Sequence, residues 1–405
     1  MRRPTTALVL ACALAGATGL TAHAAPPPAE REYIVVLEEG TNAKGKADEH
    51  SRAHGAQVKH VYQAAMKGYS GRMSEQERER VAADPDVAWV EPVRQVRATA
   101  QSLPTGIDRV NADASPTAAI DGADQRTDAD VAVIDTGVDS SHPDLDVVGG
   151  KNCTLPMLPP EDGNGHGTHV AGTIGAVDNG DGVVGVAPGA RIWAVKVLND
   201  AGVGTTADVV CGIDYVAANA GTIDVANMSL GGAGSDDGQC GRASGDSEHS
   251  AICRAVSAGV TFAVAAGNDS ADAANSTPAA YDEVITVSAL ADFNGRPGGG
   301  APATCRQDED DTFADFSNFG ADVDLIAPGV CITSTWPNGG YNTISGTSMA
   351  TPHVAGGAAL HKATNPGASP EQVKNALQRA GTKDWTWPSQ DPDGTQESLL
   401  DVTGF

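Results

Sequence analysis

Ser345-Gly346-Thr347-Ser348-Met349-Ala350-Thr351-Pro352-His353-Val354-Ala355-Gly356 is the stretch from which both fold and chemistry are read. It follows a strand-like run, Tyr341 to Ile344, and leads into an apolar helix-like run ending near Leu360. A Ser at such a junction sits at a helix N-terminus, where unpaired backbone N–H groups and the helix dipole favour negative charge. That setting suits a hydroxyl which attacks a carbonyl and leaves an oxyanion behind. Ser at a helix start is also an ordinary cap, so the decision rests with the rest of the chain.

Working outward, short apolar runs alternate with helical ones. Val131 to Ile134 is a continuous apolar run of the kind buried on both faces of a parallel sheet. Further strands are predicted at Arg191 to Leu198, Ile223 to Met228, Val260 to Ala265, Ile285 to Ala289 and Leu325 to Ala327. Helices are predicted at Thr206 to Asn219, Glu248 to Ala258 and Ser369 to Arg379. The pattern implies an α/β fold, a parallel sheet flanked by helices, with sites at the carboxyl ends of strands. Residues 233–250 and 292–312 are rich in Gly, Asp and Ser and read as surface loops.

Two further stretches carry candidate chemistry. In Val131-Ala132-Val133-Ile134-Asp135-Thr136-Gly137, a carboxylate closes a buried strand, which is costly unless it is hydrogen-bonded. Asp135 there either orients a His or caps a turn. In Gly163-Asn164-Gly165-His166-Gly167-Thr168-His169, His166 stands at a loop–helix junction, as an exposed base requires. His169 falls on the helix and reads as a packed residue; a His-x-x-His metal pair is the other reading, and no further ligand motif accompanies it. Asp135, His166 and Ser348 occur in the order Asp, His, Ser, which separates the subtilisin scheme from the chymotrypsin and α/β-hydrolase orders.

The N-terminal part has a different character. Residues 1–24 read as a secretory signal: Arg2 and Arg3, an apolar run Ala7 to Leu20, then Ala22-His23-Ala24. A Pro-rich linker, Ala25 to Glu30, precedes a β-α-β-β-α-β pattern over residues 31–97, the ferredoxin-like arrangement. Its second helix opens on a capping box, Ser74 to Glu77. Residues 25–99 hold 11 Lys/Arg against 12 Asp/Glu, whereas residues 100–405 hold 13 against 40. So acidic a surface excludes nucleic acid and anionic membranes as partners. Beyond Cys12, six Cys remain: Cys153, Cys211, Cys240, Cys253, Cys305 and Cys331. In an exported protein they predict disulfides rather than metal ligands. Fifteen connectivities are open; pairing in chain order is the expectation.

Together, the Asp135, His166 and Ser348 stretches make residues 100–405 resemble the subtilisin-like serine proteases, the subtilases. Residues 25–99 resemble their inhibitor-type propeptide. The resemblance implies a secreted serine endopeptidase made as a self-processing zymogen, monomeric and free of the membrane after maturation. Its substrates would be proteins and peptides, and its own propeptide would serve as folding aid and inhibitor, with its tail, Gln95 to Thr99, in the cleft. Ser348 would be the nucleophile, His166 the base and then acid, and Asp135 its support. Asn268, in Val264-Ala265-Ala266-Gly267-Asn268, matches the oxyanion-hole amide. Ser229, Leu230 and Gly231 would line the pocket for the residue before the cut, with Ala265, Ala266 and Gly267 as its other wall. Leu198, Gly202 and Gly204 would pair with an extended peptide. A structural Ca²⁺ is implied at Gln101, Asp144, Asn179 and the carbonyls of Val177, Asp181 and Val183. The six Cys and the insertion Ala233 to Ser250 depart from the bacillus pattern. If Asp236, Asp237, Asp246 and Glu248 of the insertion faced the pocket, basic residues would be accepted; facing water, they would leave a broad, apolar preference. A non-catalytic binding protein on the same scaffold would need a broken catalytic position, and none is broken.

Overall fold

A computed structural model describes residues 31–93, 101–386 and 393–405. The signal-like stretch, the linker and the junction around Thr99 lie outside the described residues. By internal contacts the chain divides into two units, Met1–Ala98 and Thr99–Phe405.

The first unit runs β1 (Arg31–Leu37), α1 (Ala43–His54), β2 (Gln57–Tyr62), β3 (Gly68–Met73), α2 (Glu75–Ala82) and β4 (Val87–Pro92). Its antiparallel sheet has the order β2-β3-β1-β4, as the ferredoxin-like pattern requires. The capping box at Ser74 and Glu77 is formed, and Tyr33, Val35, Leu37, Tyr69, Met73 and Val81 make its core.

The second unit opens with a short helix, α3 (Thr105–Arg109). It continues through β5 (Asp130–Asp135), β6 (Val147–Asn152), α4 (His166–Gly175), β7 (Arg191–Lys196), α5 (Thr206–Ala218), β8 (Val225–Met228), β9 (Gly232–Ala233) and α6 (Ser247–Ser257). Then come β10 (Thr261–Ala265), β11 (Ser276–Thr277), β12 (Ile285–Ala291), β13 (Thr312–Phe313), β14 (Leu325–Pro328), β15 (Ile332–Trp336), β16 (Gly340–Ile344), α7 (Thr347–Thr364) and α8 (Pro370–Ala380). The main sheet is parallel in the order β6-β7-β5-β8-β10-β12-β14, with β13 antiparallel on β12.

The apolar runs are continuous because both faces of the sheet are covered. Along β5, Val131 and Val133 join the core built by α4 and α7, whereas Ala132 and Ile134 join the one built by α5 and α6. Helix α7 is buried along most of its length, and its Ala and Gly residues let it lie between α4 and the sheet. It runs to Thr364, beyond the predicted end near Leu360; in that last turn Lys362 is buried and donates to the carbonyls of Pro366 and Ala368. Strands β6 and β15 were not predicted: β6 holds two Gly and β15 is mostly polar, so neither shows an apolar strand pattern. Three disulfides, Cys153–Cys211, Cys240–Cys253 and Cys305–Cys331, tie loops to this frame.

Candidate active site

Asp135 ends β5 with its carboxylate fully buried. Two donors compensate it: the Thr136 N–H at 2.7 Å, and His166 Nδ1 at 2.8 Å from Oδ1 and 3.0 Å from Oδ2. A buried carboxylate without such donors would be prohibitively unfavourable. His166 is the first residue of α4, and its side chain remains 26% exposed. The approach of α4 to the strand end depends on Gly167, where a Cβ would run into the Gly137 carbonyl and the Asp135 side chain. Burial depresses the His166 pKa, but the charge of Asp135, its hydrogen bond and the charge of Asp162 outweigh this, so the net direction is upward from 6.5.

Ser348 lies in the first turn of α7 and is half-buried. Its hydroxyl donates to the Ser229 carbonyl at 3.2 Å, while the Ser229 hydroxyl donates to the Ser348 carbonyl at 2.8 Å. This reciprocal pair fastens the chain after β8 to the start of α7. Catalytic hydrogen bonds in a substrate-free site are commonly loose, and here the hydroxyl is parked on Ser229. Asn268 follows β10 and is exposed. Its Oδ1 accepts from the Thr347 N–H at 2.8 Å and the Thr347 hydroxyl at 3.0 Å. These bonds cap α7, which has no cap from Gly346 itself. They also orient the Asn268 amide, so its NH₂ end points away from Thr347 and is free to donate.

Two cavities flank these groups, each of about 390 Å³. One reaches Ser348 and Asn268 between Leu230-Gly231 and Ala265-Ala266-Gly267. The other brings Leu198, Gly202, Val203, Gly204 and Ser229 beside His166. Of the insertion, only Ala233 lines the first cavity. Its acids are engaged elsewhere: Asp237 holds backbone N–H groups of its own loop, Asp246 caps α6, and Asp236 and Glu248 are not among the lining residues. An acid that does line it, Asp269, follows Asn268 directly and was not singled out in the sequence.

His169 is fully buried, with Nε2 facing the carbonyls of Ile332 and Asn342, and burial pushes its pKa down to about 4. Asp162 was also missed. Its carboxylate binds the Thr136 and Thr168 hydroxyls and the N–H groups of Asn164, Gly165 and Thr168, so it shapes the turn that delivers His166. Nothing in local sequence distinguishes it from a loop Asp; only its burial does.

The carboxylate and imidazole thus meet at the carboxyl end of β5, and the Ser348 hydroxyl is held beyond β8 by Ser229, which lines the same cavity as His166, with the Asn268 amide following β10. Residues 126–398 match the family model described as the subtilase family. This chain belongs to that family. Residues 32–99 match the peptidase inhibitor I9 model. Subtilisin NAT of Bacillus subtilis subsp. natto is 38% identical over 363 residues, covering 87% of this chain and 86% of that protein. Subtilisin DY of Bacillus licheniformis is 40% identical over 286 residues, 70% of this chain and 93% of that one. The crystal structure of a cold-adapted subtilisin-like serine proteinase superposes with a TM-score of 0.59 at 37% identity, covering 74% of this chain and 97% of the other. This subtilase is therefore a serine endopeptidase, made as a zymogen with an inhibitor-type propeptide.

The upward shift of His166 has a direct readout. NMR titration of the imidazole should give a pKa above 6.5 in the wild type. Asp135→Asn, which removes the charge that raises it, should bring the value down; an unchanged value would show that Asp135 does not set it.

Proposed function

We propose that this subtilase is an exported endopeptidase whose chemistry is carried by Ser348, His166, Asp135 and Asn268. Ser348 Oγ attacks the peptide carbonyl as His166 Nε2 takes its proton. Asp135 accepts from His166 Nδ1–H and stabilises the imidazolium. The Asn268 NH₂ and the Ser348 N–H receive the oxyanion. His166 then passes the proton to the leaving amine, and water releases the acyl group by the same steps in reverse. The observation that carries this reading is the His166–Asp135 bond at 2.8 Å beside a helix-start serine and an amide with a free NH₂. The same site cuts near Thr99/Ala100 to release the propeptide. The signal-like N-terminus and three disulfides support export. We read the mature enzyme as a monomer.

Ser348→Ala should leave the precursor intact and lower kcat by about 10⁶-fold, the loss seen for removing this nucleophile in subtilisin. A pure Ser348→Ala preparation that still loses its propeptide would rule out self-processing. A sulfonyl fluoride should label Ser348 in the mature enzyme; its failure to do so would leave the non-catalytic reading.

The walls of the first cavity, Leu230, Ala265 and Ala266, favour an apolar side chain before the cut. Mass-spectrometric profiling of a digested denatured protein should show broad, apolar preference. Dominance of Lys and Arg would instead assign the preference to Asp269.

A Ca²⁺ ion fits the oxygen-rich loop at Asp144. Gln101 Nε2 lies 2.8 Å from the Val177 carbonyl and 3.2 Å from that of Val183, and Asn179 Nδ2 lies 3.2 Å from Asp144 Oδ1. Side-chain amide N and O are interchangeable by rotation, so the Gln101 amide can turn its oxygen toward a hard cation, as Ca²⁺ requires; the same turn at Asn179 would give up the bond its Oδ1 accepts from the Asp181 N–H. Asp144 is 1% exposed, and Gly182 fits because a Cβ would strike the Tyr341 hydroxyl. Asp181 is exposed and its N–H donates to the Asn179 side chain; its carbonyl would be its contribution to the ion. Bound there, the ion would supply positive charge that locks Gln101 to the loop. Chelation by EDTA should lower the unfolding midpoint, a loss of about 2.7 kcal/mol if free Ca²⁺ had stood 100-fold above Kd. Asp144→Asn should show no such dependence; equal sensitivity in that variant would place the ion elsewhere.

A further inference from the structure

The insertion after the pocket segment, Ala233 to Ser250, takes no part in the chemistry above, yet it contains a buried imidazole in an unusual setting. His249, on α6, is 1% exposed. Its ring stacks face to face on Tyr281, centroids 4.0 Å apart and planes 3° from parallel. Its Nε2 is 2.9 Å from Glu283 Oε2. Its Nδ1 has no hydrogen-bond partner. That nitrogen instead lies 3.4 Å from Asp236 Oδ1 and 3.6 Å from Asp237 Oδ1.

These distances exceed the range of an N–H···O bond, about 2.7–3.2 Å. They match the edge of a tetrahedron whose centre is a metal with bonds of about 2.1 Å, an edge of ~3.4 Å. The three ligand atoms all lie within 4.8 Å of one another. In the neutral tautomer whose Nε2–H donates to Glu283, the Nδ1 lone pair faces two carboxylates. A buried lone pair facing two anions is unfavourable unless a cation stands between them. A carboxylate behind a His whose other nitrogen faces a cation is the usual second layer of a metal site.

Backbone N–H groups fix both carboxylates in place. Asp237 accepts from the N–H groups of Gln239, Gly241, Ala243 and Ser244, and Asp236 Oδ1 accepts from the Gly238 N–H. The Cys240–Cys253 disulfide clamps the loop to α6, and its sulfurs are thereby withdrawn from ligation. Asp236 is 18% exposed, so an ion has a way in and water can complete its coordination.

We propose that Asp236, Asp237 and His249 bind a divalent transition-metal ion such as Zn²⁺, with Glu283 orienting the imidazole. One nitrogen and two carboxylate oxygens suit such an ion better than Ca²⁺, which takes six or more oxygens. The site pins the root of the substrate pocket. Asp236 is three residues beyond Ala233, which lines the cavity beside Ser348 and whose strand β9 pairs with β11.

The test uses enzyme blocked with a sulfonyl fluoride, stripped of transition metals and kept in saturating Ca²⁺, which fills oxygen-only sites. Titration with Co²⁺ should show one equivalent bound per chain, with visible d–d absorption that Zn²⁺ abolishes. Asp236→Asn and His249→Gln should lose that equivalent, and Glu283→Gln should bind 10- to 100-fold more weakly. Near-UV circular dichroism checks that each variant is folded. If His249→Gln does not fold, Asp236→Asn and the wild-type stoichiometry decide. No stoichiometric uptake by the wild type, or uptake that survives Asp236→Asn, overturns the proposal.

Discussion

The buried carboxylate of Asp135 is the constraint on which the rest depends. It sits at the end of a strand covered on both faces, where water cannot reach it. Only fixed donors can stabilise it there. The Thr136 N–H supplies one and His166 Nδ1 the other. The same bond that makes the fold tolerable fixes the imidazole's tautomer and turns its second nitrogen outward. Structural need and chemical use are here one interaction.

Everything around it serves to bring His166 and Ser348 to that point. Asp162 gathers the Gly163–Gly167 turn, and Gly167 lets α4 come close. On the other side, Asn268 caps α7, and Ser229 and Ser348 hold each other by paired hydroxyl–carbonyl bonds. The price of this precision is a run of small residues: α7 can be buried nearly all round because Ala and Gly dominate it. Bulk there would force the helix off the sheet and carry Ser348 with it.

The second unit also uses buried polar groups outside the catalytic centre. His249, Glu283, Asp236 and Asp237 form a cluster of their own around a buried imidazole. It belongs to the insertion that departs from the bacillus pattern, together with the Cys240–Cys253 disulfide. A long loop beside a substrate pocket loses much conformational freedom on folding. Here a disulfide and a carboxylate–imidazole cluster share the task of holding it.

The sequence by itself determined the α/β architecture, the two units and the three motif stretches. Apolar runs such as Val131–Ile134 can only be satisfied between two helical layers, and Ser74 with Glu77 announces a helix start by local chemistry alone. Each stretch alone left Asp135 between a buried partner and a turn cap, and Ser348 between a nucleophile and a helix cap; their order along the chain with His166 assigned both. It missed Asp162, β6 and β15, whose roles depend on what lies far away in the chain. It left open whether the insertion's acids face the pocket; tertiary structure turned them onto their own loop and onto His249, and put Asp269 at the cavity instead. Patterns of burial are local and periodic, so sequence records them. The approach of a carboxylate at a strand end, an imidazole and a hydroxyl at two helix starts and an amide after another strand is long-range, and only the packed tertiary structure decides it.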